Sequence, residues 1–139
     1  MEEDVYDDDD QDDGDQQCLD DVVDPFRHRS GGVYLVADAY RGSAIREATV
    51  ALLEAAAGAR RETISVQGTT LALGGGADLL VYVGHDGLMD FTLDSPPQRQ
   101  DERERRVIVL ACASRSYFAE PLRVAGAHAL LWTTRLMAP

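Results

Sequence analysis

The apolar positions of this chain gather into short continuous runs rather than into one long segment. Val33–Ala37, Leu79–Val83 and Val107–Ala111 are rich in β-branched side chains, and polar or glycine residues bound each of them. Such runs are typical of strands that are buried in a parallel sheet. A fourth run, Ala129–Thr133, predicts a last parallel strand of the same kind.

Shorter patterns predict further elements between these runs. Thr63–Val66 alternates and is β-branched, which is typical of a short strand at a sheet edge. Thr69–Leu73 fits either a further strand or a helical turn. Gly74–Gly76 precedes a strand, whereas a dinucleotide-binding fingerprint follows a strand and opens a helix, so we expect no cofactor there.

Two stretches have the spacing of helices that are apolar on one side. From Ala44 to Ala57 the apolar residues recur at helical intervals, with Ser43 as the expected N-cap and Gly58 as the expected C-cap. A second helix is predicted to follow Ser114 and to stop at Gly126. The alternation of strands and helices predicts an open, mainly parallel α/β sheet.

Acidic side chains are concentrated at the N-terminus. Residues 1–24 carry 13 of the 25 acidic side chains and no basic one, whereas the rest of the chain carries 12 against 13 basic residues. So many like charges with so few apolar groups predict a disordered acidic tail, followed by one domain over residues 25–139. The tail either solubilises the chain or docks on a partner. The near-neutral body lacks the basic face of a nucleic-acid-binding protein, so no such partner is expected.

The apolar runs, the N-terminus, the cysteines and the histidines bear on the cellular location of the protein and on whether it binds a metal. No apolar run is long enough to span a membrane, and the acidic N-terminus is unlike a secretory signal. Cys18 and Cys112 form no disulfide framework, so we expect a cytoplasmic protein without a membrane partner. His28, His85 and His128 show no metal-ligand spacing with these cysteines, so no metal site is expected.

The residues with catalytic chemistry stand at the ends of two predicted strands. His85 lies in a Gly-His-Asp-Gly turn after the first, and Cys112 ends the second, just before a helix. Open α/β sheets place ligands at this edge, and a thiol beside an imidazole is a nucleophile with its base. The N–H groups of Gly87 and Cys112 are candidate donors to an oxyanion. The alternative is that Cys112 is a small buried apolar residue and that His85 is an ordinary loop residue.

Polar residues near these two extend the candidate site. Asp86 is a candidate to orient His85 or to coordinate a ligand. Asp90 is a candidate to orient His85, and the alternative is that it is only a turn residue. The residues after the first strand either line a substrate pocket at the same edge or cap the helix and the sheet. The candidate pocket residues are Asp38, Tyr40, Arg41 and Ser114.

An apolar run that ends in His85 and Gly87, followed by a second run that ends in Ala111-Cys112, resembles the cysteine peptidases of the caspase, legumain and gingipain group. The resemblance implies a three-layer, caspase-like sheet flanked by helices, with a peptide or protein as substrate. It also implies that His85 is the general base and acid, that Cys112 is the nucleophile, and that Gly87 and Cys112 bind the oxyanion. Because these peptidases continue past the fifth strand, we expect a domain that is incomplete at its C-terminus.

The sequence thus predicts a cysteine peptidase with a Cys-His dyad. The alternative is a non-catalytic, flavodoxin-like binding module or a degenerate peptidase-like scaffold. An exposed edge strand near the C-terminus is also expected to allow self-association.

Overall fold

A computed structural model describes residues 22–137 of the chain. Residues 1–21 of the predicted acidic tail, with Cys18, lie outside this part, while the last three tail residues belong to the first strand. Short 3₁₀ turns cover Gly42–Ala44 and Gly87–Met89. The strands are β1 (Val22–Arg27), β2 (Tyr34–Asp38), β3 (Arg61–Val66), β4 (Thr69–Gly74), β5 (Leu79–Val83), β6 (Arg105–Leu110) and β7 (Ala127–Trp132), and the helices are α1 (Ile45–Ala57) and α2 (Ser114–Ala125).

A parallel three-stranded sheet and two helices form the centre of the fold. The strand order is β5-β6-β7, with both pairs parallel, which confirms the mixed α/β class. Both helices stop at the predicted glycines, Gly58 and Gly126, whose φ angles of 81° and 71° are left-handed values that glycine adopts without strain. Ser43, in contrast, lies inside the 3₁₀ turn that precedes α1 and does not cap the helix.

The hydrophobic core lies between the two helices and one face of this sheet. Alternate residues of β6 are buried, because neighbouring side chains of a strand point to opposite faces. The strand therefore contributes every second side chain to the core and turns the others away from the helices. The buried cluster consists of Leu52, Leu53, Ala56, Ala57, Val107, Val109, Ala111, Phe118, Leu122 and Ala125.

The opposite face of the sheet is apolar and exposed in the part of the chain that the structure describes. Val83 is 71% exposed, and Val81, Leu130 and Leu131 are each about half exposed. The predicted third layer is therefore not formed by residues 22–137, which supply helices to one face only. The segment between β5 and β6, where a crossover helix usually lies, forms only a 3₁₀ turn followed by a loop that contains Pro96-Pro97.

The first apolar run does not join the parallel sheet, so that part of the prediction is wrong. β2 pairs antiparallel with β1, and these two strands form a sheet of their own. Gly31 and Gly32 have positive φ angles, which lets the chain turn back and pair locally. Leu35 of β2 is consequently more than half exposed instead of buried.

A second hairpin resolves the ambiguous stretch before the triple glycine. β3 and β4 pair antiparallel from Arg61↔Gly74 to Val66↔Thr69, so Thr69–Leu73 is a strand. Gln67 and Gly68 both have positive φ angles, as a two-residue hairpin loop of the primed type requires. β3 is therefore half of a separate hairpin rather than an edge of the parallel sheet.

The start of β6 is held by a buried arginine. Arg105 is only 1% exposed, and its guanidinium donates two hydrogen bonds of 2.8 Å to the carboxylate of Asp101. Its Nε donates to the carbonyl oxygen of Gly75 at 2.7 Å, which ties the triple-glycine turn to the sheet. A Cβ on Gly75 would lie 2.8 Å from the Cα of Gly58, so the glycine permits a close approach of two backbone segments. Burial lowers the pKa of Arg105.

Candidate active site

The two candidate catalytic residues leave the sheet at the same edge. β5 and β6 are neighbours, and their register ends at Val83↔Leu110. The Gly84 N–H still donates to the Leu110 carbonyl oxygen at 3.1 Å, so the strands stay together past their last paired residues. His85 and Cys112 each follow two residues after this last pair. The two strand ends that carry the candidate residues are therefore adjacent.

His85 is exposed and paired with a carboxylate. Its Nε2 lies 2.6 Å from Oδ2 of Asp90, one of the two aspartates predicted to orient it. Because a carboxylate only accepts hydrogen bonds, Nε2 carries the proton and Nδ1 is the nitrogen left to act as a base.

Tyr82, which the sequence analysis did not single out, holds the backbone of this turn. Its hydroxyl donates to the carbonyl oxygen of His85 at 2.6 Å and lies 3.5 Å from the hydroxyl of Thr49 on α1. Desolvation by burial is the main cause of the raised pKa of Tyr82, and the contact with Thr49 lowers it. The only sequence signal was a tyrosine within an apolar strand, at a position that packs against the core.

Asp86 is buried under the same turn. Its Oδ1 accepts a hydrogen bond of 3.0 Å from the Leu88 N–H, and its Oδ2 is buried without a hydrogen-bond partner among the described residues. Burial raises the pKa of Asp86, while the bond from Leu88 and the nearby His85 lower it. Asp86 thus builds the 3₁₀ turn, and no hydrogen bond to the His85 ring is found in the described part of the chain.

Gly87, the candidate oxyanion donor, is buried against α1. A Cβ at this position would collide with the Thr49 hydroxyl and lie 3.1 Å from Ile45. The carbonyl oxygen of Gly87 accepts the N–H groups of Asp90 and Phe91. Position 87 therefore requires a glycine because the turn packs closely on the helix.

Cys112 stands at a sharp turn between β6 and α2. The next residue, Ala113, has a left-handed φ of 48°, a conformation that costs a residue other than glycine about 1–2 kcal/mol. Strain of this kind clusters at functional sites. The Cys112 thiol is partly buried, and its Sγ accepts a hydrogen bond of 3.3 Å from the Met137 N–H. Within residues 22–137, no hydrogen bond joins His85 and Cys112.

The four candidate pocket residues are not gathered around this thiol. Ser114 is fully buried, and its hydroxyl donates to the carbonyl oxygen of Val109 at 2.9 Å. Asp38 is the last residue of β2, which lies outside the parallel sheet, and Tyr40 and Arg41 follow this strand. Tyr40 lies near Arg60, and its pKa is raised mainly by burial.

A shallow cleft of about 490 Å³ is lined in part by Asp90, the partner of His85. Arg46 of α1 stacks over the ring of Phe91 at 4.6 Å from its centroid, and the cleft opens beside them. The sequence analysis missed Arg46 and Phe91, because nothing in the local pattern brings residue 46 to residue 91. The lining residues are Arg46, Leu88, Met89, Asp90, Phe91, Thr92 and Asp94.

Among residues 22–137, no group of three or more histidine, cysteine or carboxylate side chains is placed to hold a metal ion. No helix in the same range is long and apolar enough to cross a bilayer. No protein-family model, curated protein or solved structure matches the chain.

Proposed function

We propose that this chain is a cysteine-type peptidase of the caspase-like group, in which Cys112 is the nucleophile and His85 is the general base. The observation that carries the proposal is the pairing of β5 with β6. Two neighbouring parallel strands are followed, two residues after their last pair, by a histidine and a cysteine, in that chain order and at the same sheet edge. The resemblance of the two strand sequences to that peptidase group adds to this argument.

The local geometry is compatible with each proposed role. Asp90 holds Nε2 of His85, which leaves Nδ1 available for a proton. The left-handed turn at Ala113 directs the chain abruptly into α2 just after Cys112. A thiolate at the N-terminal end of a helix is favoured by the helix dipole.

The proposed reaction follows from these positions. Nδ1 of His85 takes the proton of the thiol, and Sγ of Cys112 forms a bond to the carbonyl carbon of the peptide. When the carbon–nitrogen bond breaks, His85 returns the proton to the leaving amine. A water molecule then hydrolyses the thioester and restores the thiol. The caspase-like sandwich, a peptide substrate and the cytoplasmic location belong to this proposal.

The test compares the alkylation rate of Cys112 by iodoacetamide in three proteins, the wild type, His85→Ala and His128→Ala. A free thiol is only a few per cent thiolate at pH 7, so a histidine that activates Cys112 makes labelling about tenfold faster or more. We expect His85→Ala to remove this gain and His128→Ala, which alters an exposed histidine on β7, to keep it. Peptide cleavage should also disappear in Cys112→Ser.

Equal labelling rates in all three proteins would show that His85 does not activate the thiol. Peptide cleavage that persists in Cys112→Ser would equally remove the proposed nucleophile.

A second candidate is the non-catalytic binding module or degenerate scaffold. The observation in its favour is that backbone groups of the chain itself satisfy the N–H groups after Cys112. The N–H groups of Ala113 and Arg115 donate to the carbonyl oxygens of Arg135 and Thr133. The labelling experiment separates the two candidates, because a scaffold has no reason to activate Cys112.

A further inference from the structure

The segment that follows β7 crosses the start of α2 and reaches Cys112. It consists of residues 133–137, and we call it the strap. It makes hydrogen bonds with four consecutive residues, which are the proposed nucleophile and the three residues that follow it. These residues are Cys112, Ala113, Ser114 and Arg115.

The inner end of the strap is firmly anchored. The Thr133 N–H donates to the Ser114 hydroxyl at 2.9 Å, and the Ser114 N–H donates to the Thr133 hydroxyl at 3.1 Å. The Thr133 hydroxyl also donates to the Ala111 carbonyl oxygen, and the Arg115 N–H donates to the Thr133 carbonyl oxygen. Because Ser114 is fully buried, this reciprocal pair fixes Thr133 to the body of the domain.

The outer end is held by fewer contacts. The Ala113 N–H donates to the Arg135 carbonyl oxygen at 2.8 Å, and the Met137 N–H donates to Sγ of Cys112 at 3.3 Å. The side chains of Leu136 and Met137 are 71% and 48% exposed, so apolar burial contributes little to this part. The outer strap is therefore attached by these two hydrogen bonds and by a longer contact, 3.9 Å, from the Cys112 thiol to the Met137 carbonyl oxygen.

We propose that the strap is an autoinhibitory segment, closed in this structure, whose residues 135–137 cover Cys112 and occupy the Ala113 N–H. Opening about Thr133 uncovers the thiol and releases the Ala113 N–H as a donor for the oxyanion of an acyl transfer. That the strap inhibits catalysis rests on the proposed peptidase function, whereas the covering of Cys112 by the strap does not depend on it. A substrate that binds only the open state reacts only with the fraction of molecules that are open. The apparent reactivity of Cys112 is therefore multiplied by that open fraction.

The test removes the hydrogen bond that the Met137 N–H donates to the thiol. Met137→Pro lacks the backbone N–H that reaches Cys112, and Met137→Ala keeps this N–H while losing most of the same side chain. A single hydrogen bond of ordinary net strength changes the open population about fivefold. We expect iodoacetamide to label Cys112 about fivefold faster in Met137→Pro than in Met137→Ala or the wild type.

Mass spectrometry of the two cysteine peptides assigns the label to Cys112 or Cys18, and Cys18 serves as the internal reference for reagent activity. The Ala113 amide should also exchange its hydrogen faster in Met137→Pro, because its acceptor lies on the strap. Circular dichroism checks that the variant is folded.

Three outcomes separate this proposal from the peptidase proposal. Faster labelling of Met137→Pro that falls again in the His85→Ala, Met137→Pro double variant supports both. Faster labelling that is unchanged in the double variant supports the strap and overturns the catalytic role of His85. Equal labelling in all proteins, or an equal rise in Met137→Ala, overturns the strap.

Discussion

The turn that carries His85 is organised by buried polar groups that have no direct chemistry of their own. Tyr82 fixes the His85 carbonyl group, and Asp86 caps the 3₁₀ turn from below. The Oδ2 atom of Asp86 is buried without a hydrogen-bond partner in the described part of the chain, and such atoms are costly when charged. This residue therefore links the stability of the turn to its protonation state.

The raised pKa of Asp86 gives a pH dependence with a definite sign. The folded state holds this proton more strongly than the unfolded chain, so the contribution of Asp86 to stability is complete below the ordinary value of 3.8. It is lost as pH rises through the folded pKa. Asp86→Asn keeps an oxygen for the Leu88 N–H and does not ionise. We expect its free energy of unfolding, relative to the wild type, to increase with pH and then to level off.

Urea unfolding between pH 4 and pH 8, followed by circular dichroism, measures this difference. Asp94→Asn, which removes an exposed carboxyl from the following loop, controls for the general loss of a negative charge. A relative stability of Asp86→Asn that is flat or falls with pH would contradict the assignment of a buried, proton-retaining carboxyl.

At the scale of elements, the parallel sheet buries one face and exposes the other. The two faces carry the same residue types, since valines and leucines occupy both, so the sequence pattern alone could not tell them apart. Val109 of β6 faces the helices and is 0% exposed, whereas Val81 of β5 faces away from them and is 49% exposed. The difference arises because both helices pack on the same side.

A pair of identical substitutions tests this one-sided packing. Val109→Ala removes two buried methyl groups and leaves a cavity, which should lower the free energy of unfolding by about 2–3 kcal/mol. Val81→Ala should cost about 0.5 kcal/mol or less, because half of its side chain is already in contact with solvent. Chemical denaturation of both variants checks the ratio. Similar losses in both would mean that the β5 face is also covered.

Local signals account for the elements that the sequence predicted correctly. The spacing within α1, and Gly58 and Gly126 after the two helices, depend on a few neighbouring residues. The β1–β2 hairpin was missed because the apolar content of β2 is typical of a buried parallel strand. Its actual pairing with β1 depends on the turn at Gly31 and Gly32. Gln67 is an unusual residue for a left-handed position, so the second hairpin loop gave only a weak signal.

Contacts between distant residues account for the part of the candidate site that the sequence could not give. Adjacent ends of β5 and β6 follow from the strand order β5-β6-β7, which the structure gives and the local pattern leaves open. The bond from Met137 to Cys112 joins residues 25 positions apart, and the arginine stack on Phe91 joins positions 46 and 91. Neither has a local pattern. Ser114 was a candidate pocket residue, whereas its hydroxyl donates to the Val109 carbonyl oxygen inside the fold.

At the scale of the whole molecule, a packed unit of α1, α2 and the parallel sheet carries two hairpins with different attachments. The β3–β4 hairpin is tied to the unit through Gly75 and the buried guanidinium of Arg105. The β1–β2 hairpin pairs chiefly with itself, and its apolar residues Phe26, Val33 and Leu35 are all more than half exposed. A two-stranded hairpin without a packed face is marginally stable in water.

Hydrogen exchange should therefore divide the molecule into unequal parts. Amides of β6 and α2 open only with the core and should be the slowest, while amides that pair β1 with β2 should exchange by local opening. We expect residues 22–38 to exchange at least about a hundredfold faster than residues 105–110, which corresponds to an opening free energy about 2.7 kcal/mol smaller. Exchange followed by mass spectrometry of peptides from the two segments measures this ratio. Equal protection would mean that the β1–β2 hairpin folds as part of the core, and its exposed apolar side chains would then need a packing partner.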